Sequence, residues 1–376
     1  MSTTITAPTP DQLNGLVTPY LNAQPEGLAF AIGYATGTNA FEPGVYTNGS
    51  VFDQYNHNLE LGVNTYFELG SLSKTFTATL CAFLGEKYNR TWETQTISEY
   101  NINVGSQFDP IPLKALANYT SGLPADNVSG KIVTLPKYLP WPYYPAAMLG
   151  YLNGVGTATW KPTDIGKAYT YSNLAFSILA QLIPQFHGST ASEDLAELVA
   201  SWVFGPLLMQ NSYYFGDILL DTLPVGYTYS SPSSFSPAAP GHNVFPAYYG
   251  GGGVVSTPSD VLTWLQFNMG MLKNNPLYPI LEKTETPSTK VTTPNGGQMG
   301  LGWFLDNWTT PQITVLNKDG SLAGYNSFML FVDWVGTGVP SQAGVFVLTN
   351  SDGLTNGSES AVQYIAQSVL KIMLGV

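Results

Sequence analysis

Charge is scarce in this chain. Of its 376 residues only 13 are basic and 25 acidic, a charged fraction of 10% with a net charge of −12. So few cations assemble no patch able to neutralise a run of phosphates, and nucleic acid is excluded as a partner. Arg90 is the only arginine, so recognition of a carboxylate falls to lysines or neutral donors rather than to a bidentate guanidinium. Cys81 is the only cysteine, which rules out an internal disulfide. His57, His187 and His242 are the only imidazoles; none has a neighbour at metal-ligand spacing, and all three read as loop residues. A Ser-His-Asp triad is further disfavoured because no Gly-x-Ser-x-Gly elbow occurs.

Apolar runs of membrane-spanning length, ~20 residues, are also missing. The opening residues, Met1-Ser2-Thr3-Thr4-Ile5-Thr6, show neither the basic nor the apolar segment of a leader. The low charge and the 13% aromatic content lean towards a periplasmic or secreted setting, with a leader absent from this sequence. Asn-x-Ser/Thr triplets at Asn89, Asn118, Asn127, Asn307 and Asn356 bear on glycosylation only in a secreted eukaryotic protein.

Apolar mass is plentiful. At 44% hydrophobic residues the chain can bury a large core, divided between two interlocked lobes. Turn-bounded apolar runs predict a helix over 11–22, strands over 28–34, 44–52 and 65–69, and a long helix from Ser71. Residues 88–245 read as loops rich in Pro, Gly and Tyr with helices over 172–183 and 192–202, an inserted, mainly helical lobe. Thr257-Pro258-Ser259-Asp260 opens a helix running to about Met271, with proline in its first turn. Strands are then predicted over 300–305, 312–317, 326–332 and 344–349, before an amphipathic helix over 358–373. Helices at both ends, with strands inside them, imply one antiparallel sheet closed by the two termini. Residues 1–87 and 246–376 then form an α/β (α+β) lobe, with the active site between it and the 88–245 lobe.

Ser71-Leu72-Ser73-Lys74 stands at the junction of a predicted strand and a predicted helix. On a helix, positions three apart lie roughly 60° from each other around the axis and one turn apart along it, so Ser71 and Lys74 can share a pocket. Unpaired N–H groups of the first turn would face the serine and favour developing negative charge. Burial of Lys74 among Leu72, Phe76, Leu80 and Phe83 would disfavour its ammonium form and let it take the serine proton. The same spacing recurs at Ser368-Val369-Leu370-Lys371, where an exposed helix face is the better reading, so the motif needs its context.

That context is a series of motifs in order. Phe67-Glu68-Leu69-Gly70-Ser71-Leu72-Ser73-Lys74-Thr75-Phe76-Thr77 is followed by Asn118-Tyr119-Thr120-Ser121-Gly122-Leu123, Tyr171-Ser172-Asn173, Gly253-Val254-Val255-Ser256-Thr257-Pro258-Ser259-Asp260, Gly300-Leu301-Gly302-Trp303 and Lys318-Asp319-Gly320. Over about residues 25 to 375 the chain resembles the class C β-lactamases and their relatives among serine esterases, DD-peptidases and penicillin-recognising enzymes. Tyr-x-Asn also occurs at Tyr20, Tyr46 and Tyr151, but only Tyr171 follows the Thr-Ser-Gly-Leu loop and opens a helix. The resemblance implies a β-lactamase/DD-peptidase-like fold and needs no metal or organic cofactor.

It also implies roles. Ser71 would attack an acyl carbonyl, and Lys74 would accept or share its proton. Tyr171, held between Lys74 and Lys318, would pass a proton to the leaving group and later activate water. Asn173 would orient Lys74 and bond the acyl side of the substrate, and the backbone N–H groups of Ser71 and Ser321 would form the oxyanion hole. Asn317-Lys318-Asp319-Gly320 also reads as a hairpin turn, the alternative to a functional Lys318. Asp319 departs from the family, which places threonine there to receive a substrate carboxylate together with the lysine. A negative charge at that place would repel such a group or pair with Lys318. The expected activity is therefore a serine hydrolase acting through an acyl-enzyme on a small neutral ester or amide. Trp141, Tyr143, Tyr144, Tyr248 and Tyr249 are candidates to line an apolar site. The alternatives are a β-lactamase or D-amino-acid peptidase that tolerates Asp319, and a non-catalytic binding or scaffold protein of the same fold.

Overall fold

Side-chain alternation along the strands divides the interior into two cores. The computed structural model describes residues 5–24, 26–125, 148–150, 152, 160–186, 194–214, 222–231, 234–238 and 246–376. The elements that position the site are α1 (Pro10–Asn22), β1 (Ala29–Ala35), β2 (Gly44–Gly49), β3 (Phe67–Glu68), α2 (Ser73–Lys87), α3 (Asn173–Leu182), β4 (Tyr213–Tyr214) and β5 (Val254–Ser256). They continue with α4 (Pro258–Asn268), β6 (Gln298–Met299), β7 (Phe304–Thr309), β8 (Gln312–Leu322), β9 (Tyr325–Val332), β10 (Gly344–Thr349) and α5 (Ala361–Leu374).

Seven of these strands form one sheet in the order β6-β7-β8-β9-β10-β1-β2, antiparallel at every pairing. The N-terminal hairpin thus completes a sheet begun by the C-terminal meander, with Phe30 opposite Thr349. Phe30, Ile32, Phe328, Leu330, Val345 and Val347 pack with Leu13 and Val17 of α1 and Ile365 and Val369 of α5. Their neighbours Ala31, Met329, Phe331, Phe346 and Leu348 face the opposite core, which holds α2 and α4. Both faces are covered, which is why β9 and β10 read as continuous apolar runs. Each large side chain so buried contributes about 1.5–3 kcal/mol of transfer free energy.

The helix α2 is buried on nearly all sides. Phe76 stacks on Trp264 of α4 at 4.0 Å and meets Phe204 edge-on at 5.6 Å. Two of its buried polar side chains tie it to neighbouring segments: Thr77 donates to Gly250 O at 2.8 Å, and Ser73 Oγ accepts from Val254 N at 3.0 Å. The helix is thereby tied to β5, which pairs with β3 and β4 in a separate small sheet.

Several boundaries differ from the sequence reading. The strand expected over 65–69 is confined to β3 and lies outside the large sheet. Residues 300–303 are not a strand; the strand begins at Phe304. The helix expected over 192–202 is described from Leu195 and passes at Ala200 into a π-helical turn ending at Phe204. The turn reading of Asn317-Lys318-Asp319-Gly320 is overturned: these residues lie inside β8, with Lys318 opposite Met329 and Gly320 opposite Ser327. The chain reverses only beyond Leu322, because each residue from Val315 to Leu322 is paired with β9, from Val332 back to Tyr325.

Candidate active site

The segment carrying Ser71 is a tight turn pressed against a strand. Ser71 occupies a 3-10 turn, Gly70–Leu72, that leads directly into α2. The turn is anchored by Leu69, whose N–H donates to Val254 O at 2.9 Å and whose carbonyl accepts from Ser327 Oγ at 2.7 Å. Gly70 has φ +53, and a Cβ on it would lie 2.8 Å from the backbone N of Ser321. Gly320 abuts the Leu69 carbonyl from the other side. With glycine at both places, the turn carrying Ser71 meets β8 backbone to backbone, beside the Ser321 N–H.

Lys74, in the first turn of α2, is fully buried. Its Nζ lies 3.0 Å from Ser71 Oγ, 2.6 Å from Asn173 Oδ1 and 2.6 Å from Gly251 O. Asn173 is delivered by the start of α3, where Ser172 caps the helix by accepting from Ala175 N at 2.9 Å and donates to Pro124 O at 2.7 Å. Tyr171 immediately precedes that cap. Its ring centroid is 4.9 Å from Lys74 Nζ and 5.3 Å from Lys318 Nζ.

Lys318 comes from β8 and is also fully buried. Its ammonium donates to Asp319 O at 2.7 Å and to Asp319 Oδ1 at 2.6 Å, and lies 5.4 Å from the centroid of Phe304. The Asp319 side chain is 58% exposed, opening to solvent although protein crowds it on other sides. That crowding raises its pKa, but the charge and hydrogen bond of Lys318 outweigh it and hold the carboxyl below its ordinary value.

The structure thus brings Ser71, Lys74, Tyr171, Asn173, Lys318 and the Ser321 backbone into one locality, drawn from α2, α3 and β8. Two contributors were not singled out from the sequence. Gly251 supplies a carbonyl to Lys74. Tyr119, with φ +62, stacks on Tyr171 at 5.5 Å and on Phe304 at 5.0 Å, and donates to Gly302 O at 2.8 Å. Burial pushes its phenol well up. A tyrosine immediately before the Thr-Ser-Gly-Leu segment was the available signal for it. His57 is mostly exposed and pairs with Asp53 at 2.9 Å. Tyr248 and Tyr249 pack partly buried against the main core. His187, His242, Trp141, Tyr143, Tyr144 and Asn127 lie outside the described residues. Among the described residues no group of His, Cys, Asp and Glu side chains could hold a metal ion, and no helix is long and apolar enough to cross a membrane.

The architecture, an antiparallel sheet flanked by helices, is that of the β-lactamases and DD-peptidases. The octameric penicillin-binding protein homologue from Pyrococcus abyssi superposes with a TM-score of 0.74 at 19% identity, covering 97% of this chain and 77% of that one. A class C β-lactamase in complex with cefoxitin gives 0.73 at 21% identity, covering 96% and 98%. The Beta-lactamase family profile matches residues 42–370, and the chain belongs to that family. A β-lactamase of Pseudomonas fluorescens is 26% identical over 317 residues, spanning 73% of this chain and 78% of its own length. One from Yersinia enterocolitica is 26% identical over 322 residues, spanning 83% and 73%.

Proposed function

We propose that this member of the β-lactamase family is a serine hydrolase that forms an acyl-enzyme at Ser71 and acts on small neutral esters or amides, in a site between the 88–245 lobe and the rest of the chain. The observation that carries the reading is the set of atoms around Lys74 Nζ. Gly251 O and Asn173 Oδ1 can only accept. A neutral amine gives them its two N–H bonds and turns its lone pair towards Ser71 Oγ; an ammonium gives its third N–H to that oxygen. The same geometry therefore serves the lysine before and after it takes the serine proton, with no rearrangement.

Attack by Ser71 Oγ on the carbonyl carbon puts negative charge on the carbonyl oxygen, which in this reading the N–H groups of Ser71 and Ser321 receive. Tyr171, near both ammonium groups, relays a proton to the departing alcohol or amine, which breaks the ester or amide bond. In the second half it removes a proton from water, which attacks the acyl carbon and restores Ser71. Asp319 directs the choice of substrate. A carboxylate seeking Lys318 meets an ionised side chain already bonded to that lysine, so neutral groups are favoured there.

The names of the curated relatives favour a second reading, hydrolysis of β-lactams. The two are separated by intact-mass and rate measurements. A phosphonate ester should add covalently to the protein but not to Ser71→Ala, and nitrophenyl acetate should turn over faster than nitrocefin. Absence of the adduct on the wild-type protein would refute the acyl-enzyme and leave a binding or scaffold role. Preferential turnover of nitrocefin would refute the neutral-substrate assignment.

A further inference from the structure

A groove of about 540 Å³ lies beside the site, lined by Lys167 and Tyr169 from one segment and Lys290 and Val291 from another. Both lysines are exposed, and neither has an ion-pair or hydrogen-bond partner through its side chain among the described residues. No acidic residue lines the groove. In a chain with 25 acidic and only 13 basic residues, two unneutralised cations on one groove form a local field opposite in sign to the net charge.

The groove is coupled to the site through rings. Tyr169 lies 6.0 Å from Phe304 and 6.1 Å from Tyr119, and Phe304 lies 5.4 Å from the Lys318 ammonium. Thr170 N donates to Tyr119 O at 2.8 Å, so the segment carrying Tyr169 and Tyr171 is fixed on Tyr119. Under the proposed function Tyr171 serves the leaving group, and the groove lies on the same segment's side of the site. We infer that it is a subsite for the leaving half of the substrate, selecting alcohol or amine portions that end in an anionic group held away from the scissile bond. The inference rests on the acyl-enzyme reading for its placement. Asp319 excludes an anion close to the reacting carbonyl, while Lys167 and Lys290 accept one at a distance. Burial pushes the Tyr169 phenol up to about 12 against the opposing charge of Lys318, so it remains a hydrogen-bond donor to such an anion at neutral pH.

The test uses aryl acetates whose phenol carries a short or a long alkyl chain ending in a carboxylate, each beside its primary-amide analogue. For the long chain, wild-type enzyme should favour the acid over the amide by about tenfold, mainly through KM, with the ratio falling towards one in concentrated salt. Lys167→Gln and Lys290→Gln should each reduce the preference about two- to fivefold, and the double variant should abolish it while amide turnover stays within twofold. The short-chain acid should show no preference. A preference surviving in the double variant, or equal loss on acid and amide, would overturn the subsite. Binding of the released long-chain phenol acid and its amide to the Ser71→Ala protein, followed by calorimetry, gives a second readout that needs no turnover. Tighter binding of the acid, lost in the double lysine variant, would uphold the subsite even if no ester were hydrolysed. Equal binding of acid and amide there would sink it independently of the acyl-enzyme reading.

Discussion

Replacing Gly320 by alanine should disable Ser71 without touching any side chain proposed to do chemistry. The added methyl would fall well inside contact distance of the Leu69 carbonyl oxygen and of Ser327 Oγ, and 3.1 Å from Leu69 C. Carbon atoms separate at about 3.5–4 Å, so relief requires the turn and the strand to part by roughly 1 Å. Neither side can yield cheaply, because Leu69 is held by Val254 and Ser327 and Gly320 is paired in mid-strand. A misplacement of that size costs on the order of 100-fold in the chemical step, about 2.7 kcal/mol of barrier, and overpacking costs about 1–3 kcal/mol of stability. Gly252→Ala is the control: its new methyl would find its nearest neighbour at 3.8 Å, in the same neighbourhood. The assay is the rate of covalent labelling by a phosphonate ester, followed by intact mass, with thermal melting run in parallel. Labelling of Gly320→Ala within threefold of wild type would refute the reasoning, as would equal losses in the two variants.

Asp319→Thr should raise the labelling rate by a carboxylate-bearing β-lactam about tenfold while leaving a neutral phosphonate within threefold; an unchanged ratio would remove the electrostatic explanation. Tyr119→Phe strips a donor from the buried Gly302 carbonyl and should cost about 1–3 kcal/mol of stability in denaturant melts, yet keep labelling near wild type because the stack on Tyr171 survives; Tyr119→Leu should lower both. Glu285 is fully buried, and neither carboxyl oxygen has a hydrogen-bond partner among the described residues. Burial pushes its pKa well above the ordinary 4.5, and the Trp334 indole, committed to Asn268 O, is too poorly placed to offset this. The folded state therefore keeps a proton that the unfolded chain releases above 4.5, so stability falls with rising pH by about 1.4 kcal/mol per unit until the folded pKa is reached. Glu285→Gln should flatten that slope in melts from pH 4 to 8, and an identical slope in both proteins would contradict the assignment.

Much of this arrangement was legible because periodicity and order are properties of sequence. Turn-bounded apolar runs gave β1, β9 and β10 to within a residue or two, and the ordered motifs brought Ser71, Tyr171 and Lys318 together along the sequence. What stayed hidden were backbone contributions. Gly251 offers a carbonyl, which every residue possesses, so nothing in its identity marks it. Gly320 was read as part of a turn because Asp-Gly favours one locally, whereas its absence of a Cβ serves the approach of Leu69, 251 positions away along the chain. Local propensity and tertiary need called for the same residue for different reasons.

Asp319 links the economy of charge to the choice of substrate. Burying an ammonium costs several kcal/mol unless acceptors replace the lost water. Lys74 meets that cost with the Asn173 amide oxygen and the Gly251 carbonyl, both neutral. Lys318, equally buried, draws on the carbonyl and the carboxylate of the residue beside it. The depressed pKa of Asp319 is the other side of that pairing: its contribution to stability is present above the ordinary carboxylate value and lost as pH falls through the lowered one. The residue that keeps Lys318 compensated in the empty site is therefore the residue that withholds it from a substrate carboxylate. A threonine at this position would return the lysine to the substrate and leave it less compensated when no substrate is bound, so gain of carboxylate recognition and loss of resting-state stability should travel together.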